Sequence, residues 1–408
     1  MPRLGIRGTG GAKRTTPQLP KKGNSHHVKK PRKRGKKRLP KREPPYLDYI
    51  GHYWRIVSKA KNLDKSRLKS KKPCQILHTG FMINLRDKSK PETEGQGLFV
   101  MNDYTEKKAG NQAVLPFISK HVSAGTRERI KDCGGWLQMA ATRDLEKKKV
   151  HRANFCKNRF CPMCSWRKSK KEAVQVKTLM QYIRGESKKA FILLTLTAPN
   201  VKADKLRDEI TKFNEAFKRL TKRKEILPVI KGYVRKLEVT YNEKRDDYHP
   251  HFHCILAVNK SYFSDRTYLS QAQWLNLWRE AMRDSTITQV DLRRVKEDPH
   301  DINKDVQQVA IYSAKTVDLT ASQEVFDVLY KALTGRQLLT FNGLFKDATK
   351  LYKAKELDYL KEADETPYEL LLLYQWGYGS YVEKERRELT EEERRDLRRE
   401  IMDEDDDE

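Results

Sequence analysis

Two hydrophobic periods run through residues 165–315 and divide that stretch into strands and helices. Ala190 to Thr197 is almost uniformly apolar and β-branched or aromatic, which predicts a buried strand that stops at Pro199-Asn200. Gly232 to Tyr241 predicts a second strand. The polar Asn242 to Tyr248 joins it as a hairpin to a third run, His249 to Val258, whose later half Cys254-Ile255-Leu256-Ala257-Val258 is apolar. Ile287 to Val295, with imperfect alternation, predicts a further strand. The helical period appears between these runs. Ala173, Val176, Leu179, Met180 and Ile183 predict a helix over 165–184 that ends at Gly185. Leu206, Ile210, Phe213, Phe217 and Leu220 predict another, with Asp204 as its cap. Trp274, Leu277, Trp278 and Met282 mark a third over 270–283, and 306–315 reads as a fourth. In that fourth helix Gln308 and Tyr312 share a face, with Lys315 close to it.

Outside this segment the pattern weakens. Tyr46, Tyr49, Tyr53, Trp54 and Ile56 place the start of ordered structure near 46, and Leu98 to Met101 reads as a short strand. Residues 325–351 read as a mixed helical stretch broken by the loop Thr334-Gly335-Arg336. Glu383 to Glu400 mixes acids and arginines at helical spacing, and Asp403 to Glu408 is wholly acidic. Four regions follow: a disordered basic tail, 1–46; an N-terminal region, 47–185; a catalytic core, 186–350; and a helical, acidic tail, 351–408. The core is expected to be α+β, a central antiparallel sheet flanked by helices and preceded by a four-cysteine knuckle.

Composition narrows the function classes. The 408-residue chain is 37% hydrophobic and 34% charged, enough for a core alongside solvated segments. No apolar run approaches the roughly 20 residues that span a bilayer, and the basic N-terminus lacks an apolar signal core. A cytoplasmic protein without membrane contact is expected. The formal net charge of +30 points to a polyanion, most simply nucleic acid. Residues 1–46 hold 16 Lys/Arg against one acid, Glu43, and so carry half of that charge. Such a composition reads as a solvated arm, compatible with holding DNA without sequence preference and with strong salt dependence.

Candidate chemistry concentrates in two motifs. His249, His251 and His253 alternate along a predicted strand and so share one face, which suits a divalent metal better than three separately satisfied core histidines. Glu238 lies on the preceding strand, within reach across about 4.8 Å. It competes with His249 for the third ligand position beside His251 and His253. Cys133, Cys156, Cys161 and Cys164 include a Cys-x-x-Cys pair, and in a reducing compartment they suit a structural zinc better than disulfides. A closed four-thiolate site has no open position for catalysis. The helix after it carries Lys168, Lys170, Lys171 and Lys177, either a phosphate-following face or a solvated one.

These motifs, in this order, resemble the replication initiators of rolling-circle plasmids from Gram-positive bacteria, of the type with a single active-site tyrosine. That group is similar to the wider HUH endonucleases, with their ferredoxin-like palm. The strand Phe191 to Thr197, the His249-Pro250-His251-Phe252-His253 metal motif and Ala310-Ile311-Tyr312-Ser313-Ala314-Lys315 carry the resemblance. Asn154 to Arg167 and Ala332 to Leu338 add to it, over roughly 125–350. The resemblance implies that Tyr312 attacks an origin phosphodiester, leaving a 5′-phosphotyrosine and a 3′-OH primer, with Mn²⁺ or Mg²⁺ at the histidines (zinc being possible there) and Zn²⁺ at the cysteines. Lys315 would neutralise the phosphate or orient the tyrosine. Partners would be single-stranded or cruciform origin DNA, a host helicase and a DNA polymerase, and the chain could oligomerise. One residue departs from the family pattern. Gln308 stands where a glutamate is usual, and an amide is no general base. Asp305 or Asp318 would have to replace it, or termination differs. Two alternative functions remain, a relaxase-like nickase for conjugative mobilisation and a non-catalytic zinc-bearing repressor of its own origin.

Overall fold

The runs of alternating side chains between residues 189 and 294 lie edge to edge in one sheet. The computed structural model describes residues 96–296, 299–310, 313–361 and 364–403. The sequence readings on 1–95, on Tyr312 and on 404–408 therefore fall outside the described residues. Strands β3 (Lys189–Leu196), β4 (Gly232–Asn242), β5 (Asp247–Asn259), β6 (Val290–Arg294) and β7 (Leu339–Gly343) form a five-stranded sheet in the order β6-β3-β5-β4-β7, and every pairing is antiparallel. β5 is central, which explains its apolar run.

The two faces of β5 separate by parity. Phe252, Cys254, Leu256 and Val258 enter one core, with Ile192 and Leu194 of β3 and Leu237 and Val239 of β4. Helices α4 (Leu206–Thr221), α5 (Gln271–Met282) and α8 (Gln323–Leu333) cover that face. Phe213 and Phe217 of α4 meet the Phe252 ring edge-on. Each such fully buried side chain stabilises the fold by roughly 1.5–3 kcal/mol. The odd-numbered residues Ile255 and Ala257 face the other way, beneath α3 (Pro162–Gly185), α6 (Pro299–Val309) and α9 (Leu344–Lys353). The three histidines of β5 share this second face by parity.

A second antiparallel sheet is built from β1 (Trp136–Ala141), β2 (Lys148–Ala153), β8 (Leu370–Gly377) and β9 (Ser380–Glu388), in the order β2-β1-β8-β9. Residues 370–388, expected as part of a helical tail, are thus a hairpin paired to β1, and α10 (Glu391–Asp403) follows it. The reason is burial of Leu371, Leu372 and Tyr374 against β1, which outweighs the helix-like spacing of the charges that follow.

Other expectations also change. Leu98 to Met101 opens helix α1 (Gln96–Ile118), because Val114 and Ile118 at its far end pack into the main core. A short apolar run does not by itself distinguish strand from helix. Asp204 does not cap α4; a 3₁₀ turn, Ala203–Lys205, leads into it instead. The fourth predicted helix ends early. α6 stops at Val309, and Lys315 begins the short α7 (Thr316–Leu319), so one helical face does not run from Gln308 to Lys315. The chain leaves the helix because β4 outruns its neighbour β7. The Val239 N–H donates to the Ser313 carbonyl and the Tyr241 N–H to the Asp318 carboxylate, satisfying an edge that would otherwise be bare. α2 (Ala124–Asp132) follows α1 and carries Ile130 into the main core.

β7 ends at Gly343, whose φ of 55° is in the left-handed region. A Cβ there would strike the Lys231 carbonyl oxygen, and Gly232 Cα would be 2.8 Å away. Gly343→Ala is therefore expected to destabilise the protein by about 2 kcal/mol or more. Denaturant unfolding checks this; an unchanged midpoint would contradict it.

Candidate functional site: a carboxylate and two imidazoles beside a four-thiol cluster

The β4–β5 register brings the candidate ligands together. Glu238 pairs directly with His251, and Lys236 with His253, so the acid and both imidazoles rise from the same face. Glu238 Oε2 lies 2.9 Å from His251 Nε2 and 3.0 Å from His253 Nε2. Glu238 is 2% exposed. Burial pushes its carboxyl up, but the two histidines outweigh burial and hold it down at about 2.

Each imidazole is oriented from behind. His251 Nδ1 donates to the His249 carbonyl, 3.1 Å away, which leaves Nε2 as the lone-pair atom of the neutral ring. His253 Nδ1 lies 3.3 Å from Thr195 Oγ1 on β3. Lone pairs of Nε2 and of a carboxylate repel at about 3 Å unless a proton or cation lies beside them. Separations of 2.9 and 3.0 Å are also the chord of a right-angled ligand pair with bonds of about 2.1 Å. The donor set therefore fits a first-row divalent ion, with its remaining positions open.

His249 stands apart from this trio. Its Nδ1 donates to Asn200 Oδ1 at 2.8 Å, and Asn200 in turn donates to Asp247. Burial first, then the neighbouring His251 and Arg245, push its pKa down to about 4, so the ring is neutral at pH 7 with Nε2 unprotonated. Between His249 and His251, Pro250 falls in a gap of the ladder. β3 ends opposite Phe252, and the next bonds on that edge are those of Tyr248 with Val201. A residue without an N–H is tolerated there.

The surroundings of the trio are charged. Lys315 Nζ lies 3.9 Å from Glu238 Oε1 and is half exposed. Asp318 is buried close by, and burial, with the Glu238 charge adding to it, raises its pKa. Gln308 is half-buried on α6. Asp305, one turn before it, is engaged by Arg293 at 3.3 Å. Ser313, the chain neighbour of Tyr312, is fixed through its carbonyl to Val239, the residue after Glu238. Lys236 reaches Glu172 of α3 in a buried pair at 2.5 Å, which ties that helix to the same strand.

The four cysteines also converge. Sγ atoms of Cys133 and Cys164, Cys133 and Cys161, and Cys156 and Cys164 are 3.5, 3.6 and 3.6 Å apart. A disulfide requires about 2.05 Å, whereas the edge of a tetrahedron with bonds of about 2.3 Å is about 3.8 Å. The four thiols share protons: bonds from its neighbours hold Cys164 down, while bonds to Cys156 and Cys133 push up Cys133 and Cys161 respectively. Cys161 and Cys164 open α3, Cys161 as its N-cap and Pro162 behind it, so helix N–H dipoles favour thiolate there. Sequence reasoning missed two residues that serve this cluster. Asn111 of α1 donates to Cys161 Sγ at 3.2 Å, and the fully buried Lys108 donates to the carbonyls of Cys133 and Lys131. Their polar character hid them from a hydrophobic pattern; their spacing of three along a helix was the available signal. Tyr381 of β9 closes the other side by donating to the Gly134 carbonyl.

An α+β protein with two clusters of metal-ligand character, one on β4 and β5 and one at the start of α3, is the class these features define. The comparisons with known proteins give the family. The family model described as "Replication protein", Rep_1, matches residues 147–385. A "Protein rep" of Staphylococcus aureus is 50% identical over 219 residues, covering 53% of this chain and 94% of that one. A "Protein rep" of Bacillus amyloliquefaciens is 33% identical, covering 63% and 84% respectively. Another, from Lactiplantibacillus plantarum, is 30% identical, covering 69% and 99%. No solved structure matches. The chain therefore belongs to the Rep_1 family of replication proteins, and the resemblance to plasmid replication initiators of Gram-positive bacteria is borne out. No helix of the described residues is long and apolar enough to cross a membrane.

The depressed Glu238 carboxyl makes a signed prediction for metal-free protein. A carboxyl held near 2 against about 4.3 unfolded contributes stability above the unfolded value. That contribution is lost as pH falls through the folded one. Glu238→Gln should therefore flatten the loss of stability between about pH 4.3 and 2, read by denaturant unfolding at stepped pH. Parallel pH profiles for wild type and variant would contradict it.

Proposed function

We propose that this protein initiates rolling-circle replication of a plasmid by nicking and later rejoining one strand at the origin, with Tyr312 as nucleophile. Glu238, His251 and His253 would hold a divalent metal, Mn²⁺ or Mg²⁺, with His249 a neutral imidazole beside them. The supporting observation is their convergence on one sheet face, with the chain that follows Tyr312 pinned to β4 next to Glu238. When bound, the ion neutralises charge on the phosphoryl oxygens and polarises the phosphorus.

The protein's own groups supply the rest. One Glu238 oxygen faces both imidazole Nε2 atoms, while Thr195 and the His249 carbonyl set the ring orientations. A free phenol has a pKa of about 10 and is a weak nucleophile at neutral pH. The Tyr312 oxygen attacks phosphorus, its proton passes to solvent, the bond from phosphorus to the 3′ oxygen breaks, and that oxygen takes up a proton from solvent. The products are a 5′-phosphotyrosine and a 3′-OH that primes a host DNA polymerase, with a host helicase opening the duplex. Rejoining needs no ATP, because the phosphodiester energy is kept in the link. Lys315, beside Glu238, neutralises phosphate charge. Gln308 cannot take the proton of a second nucleophile. Of the two carboxylates that could, Asp305 is committed to Arg293, whereas Asp318 lies beside the Glu238 cluster, so Asp318 takes that role. The four cysteines would hold a structural Zn²⁺, tying the end of α2 and the segment after β2 to the start of α3.

Gln308 favours a second reading, a DNA-binding repressor without catalysis. The two part on one experiment. Incubated with Mn²⁺ and a single-stranded origin oligonucleotide, the wild type should form a covalent adduct and Tyr312→Phe none. Glu238→Ala should slow adduct formation by on the order of 100-fold. No adduct with wild type would leave the repressor. Elemental analysis tests the cysteine cluster separately: one zinc per chain is expected, lost together with thermal stability in Cys161→Ser. Zinc-free protein of undiminished stability would contradict it.

A further inference from the structure

Helix α3 presents two opposite stripes. Glu172, Val176, Leu179 and Ile183 face the main sheet. Arg167, Lys170, Lys171 and Val174, at spacings of three, four and seven, project away from it. This second stripe lines a cleft of about 420 Å³, whose other walls are β2, the start of α1 and the segment after α9. Neither the dihistidine site nor any of the four cysteines lines it.

The cleft carries an excess of positive charge. Six cationic side chains line it against two acids, Asp103 and Asp364. Those acids are loosely matched, Asp103 lying 3.7 Å from Lys170 and Asp364 3.8 Å from Lys149. Aromatic rings seat two of the cations: Lys170 Nζ lies 4.1 Å over the Trp166 ring, and Lys361 Nζ, which also pairs with Asp358 at 2.8 Å, lies 4.5 Å over that of Tyr352. Burial pushes the pKa of Lys148 and Lys170 down.

These features select a ligand. Trp166 and Tyr352 are buried with a lysine over each ring, so they offer no stacking platform for a base. What remains is recognition of repeated negative charge. A flexible single strand can enter a concavity of this size, whereas a duplex with a persistence length of about 50 nm cannot follow it. We propose that this cleft is a second DNA-contact site, which grips the phosphodiester backbone of a single strand without reading its bases. It rests on the reading that the protein acts on DNA, and not on the nicking chemistry.

The test uses full-length protein in EDTA and a fluorescent oligothymidylate without origin sequence, followed by anisotropy. Lys170→Glu with Lys171→Glu should weaken binding about tenfold or more and lower the log–log salt slope by about 1.4, at about 0.7 per lost phosphate contact. Lys222→Glu with Lys224→Glu, exposed beyond α4, makes the same change in net charge and should cost about twofold at most. The milder Lys171→Ala should shift affinity in the same direction as the cleft reversal, which excludes misfolding as the cause. Inorganic phosphate at equal phosphate concentration should not displace the oligonucleotide. Equal losses in the cleft and control variants would overturn the proposal. So would displacement by phosphate alone, which would make the cleft an ion pocket. Cleft-dependent binding by a wild type that forms no covalent adduct would uphold it while the nicking chemistry fails.

Discussion

The convergence of one Glu238 oxygen with His251 Nε2 and His253 Nε2 across a two-strand register is the constraint on which the site depends. It requires Glu238 to lie directly opposite His251, and a slip of one residue would send the acid to the opposite face. The hydrophobic parity of the sheet enforces that register. Leu237 and Val239 flank the acid and enter the same core as Phe252 and Cys254. Packing on one face thus fixes the chemistry on the other. The same strand then organises the chain around Tyr312: where β4 outruns β7, its bare N–H groups capture Ser313 and Asp318.

The second sheet serves a different end. It lies beside the cysteine cluster and seals it with Tyr381, while α1 contributes the buried Lys108 and Asn111. A zinc held there by four thiolates would carry two net negative charges, and the buried Lys108 beside it would reduce the electrostatic cost. α3 starts in that cluster, reaches Lys236 with Glu172, and presents its outer stripe to the basic cleft. One helix therefore links the thiol cluster, the strand of Glu238 and a cationic surface.

The sequence was legible where side-chain period and burial agree. β3, β4, β5, α3, α4 and α5 all stand within a few residues of their expected places, because each has one strongly apolar face. That Glu238 stands within reach of His251 and His253 followed from the spacing of two and the hairpin between the strands, but the choice between it and His249 did not. It failed where a partner far along the chain decides the structure. β8 and β9 are strands because β1 is there to pair with them, and nothing local announces that. α1 was misread because the residues on its working face, Lys108 and Asn111, are polar yet buried. His249 shared the spacing of its neighbours and competed with Glu238 for the third place, but Asn200, on the loop after β3, draws it aside.

The central claim is that Glu238, His251 and His253 hold one divalent ion, without His249. Pulsed electron paramagnetic resonance of the protein loaded with one equivalent of Mn²⁺ tests this directly, through nitrogen couplings from bound imidazole. Two coupled imidazoles are expected in wild type and in His249→Ala, and one in either His251→Ala or His253→Ala. Absence of nitrogen coupling in wild type, or its loss in His249→Ala, would contradict the account.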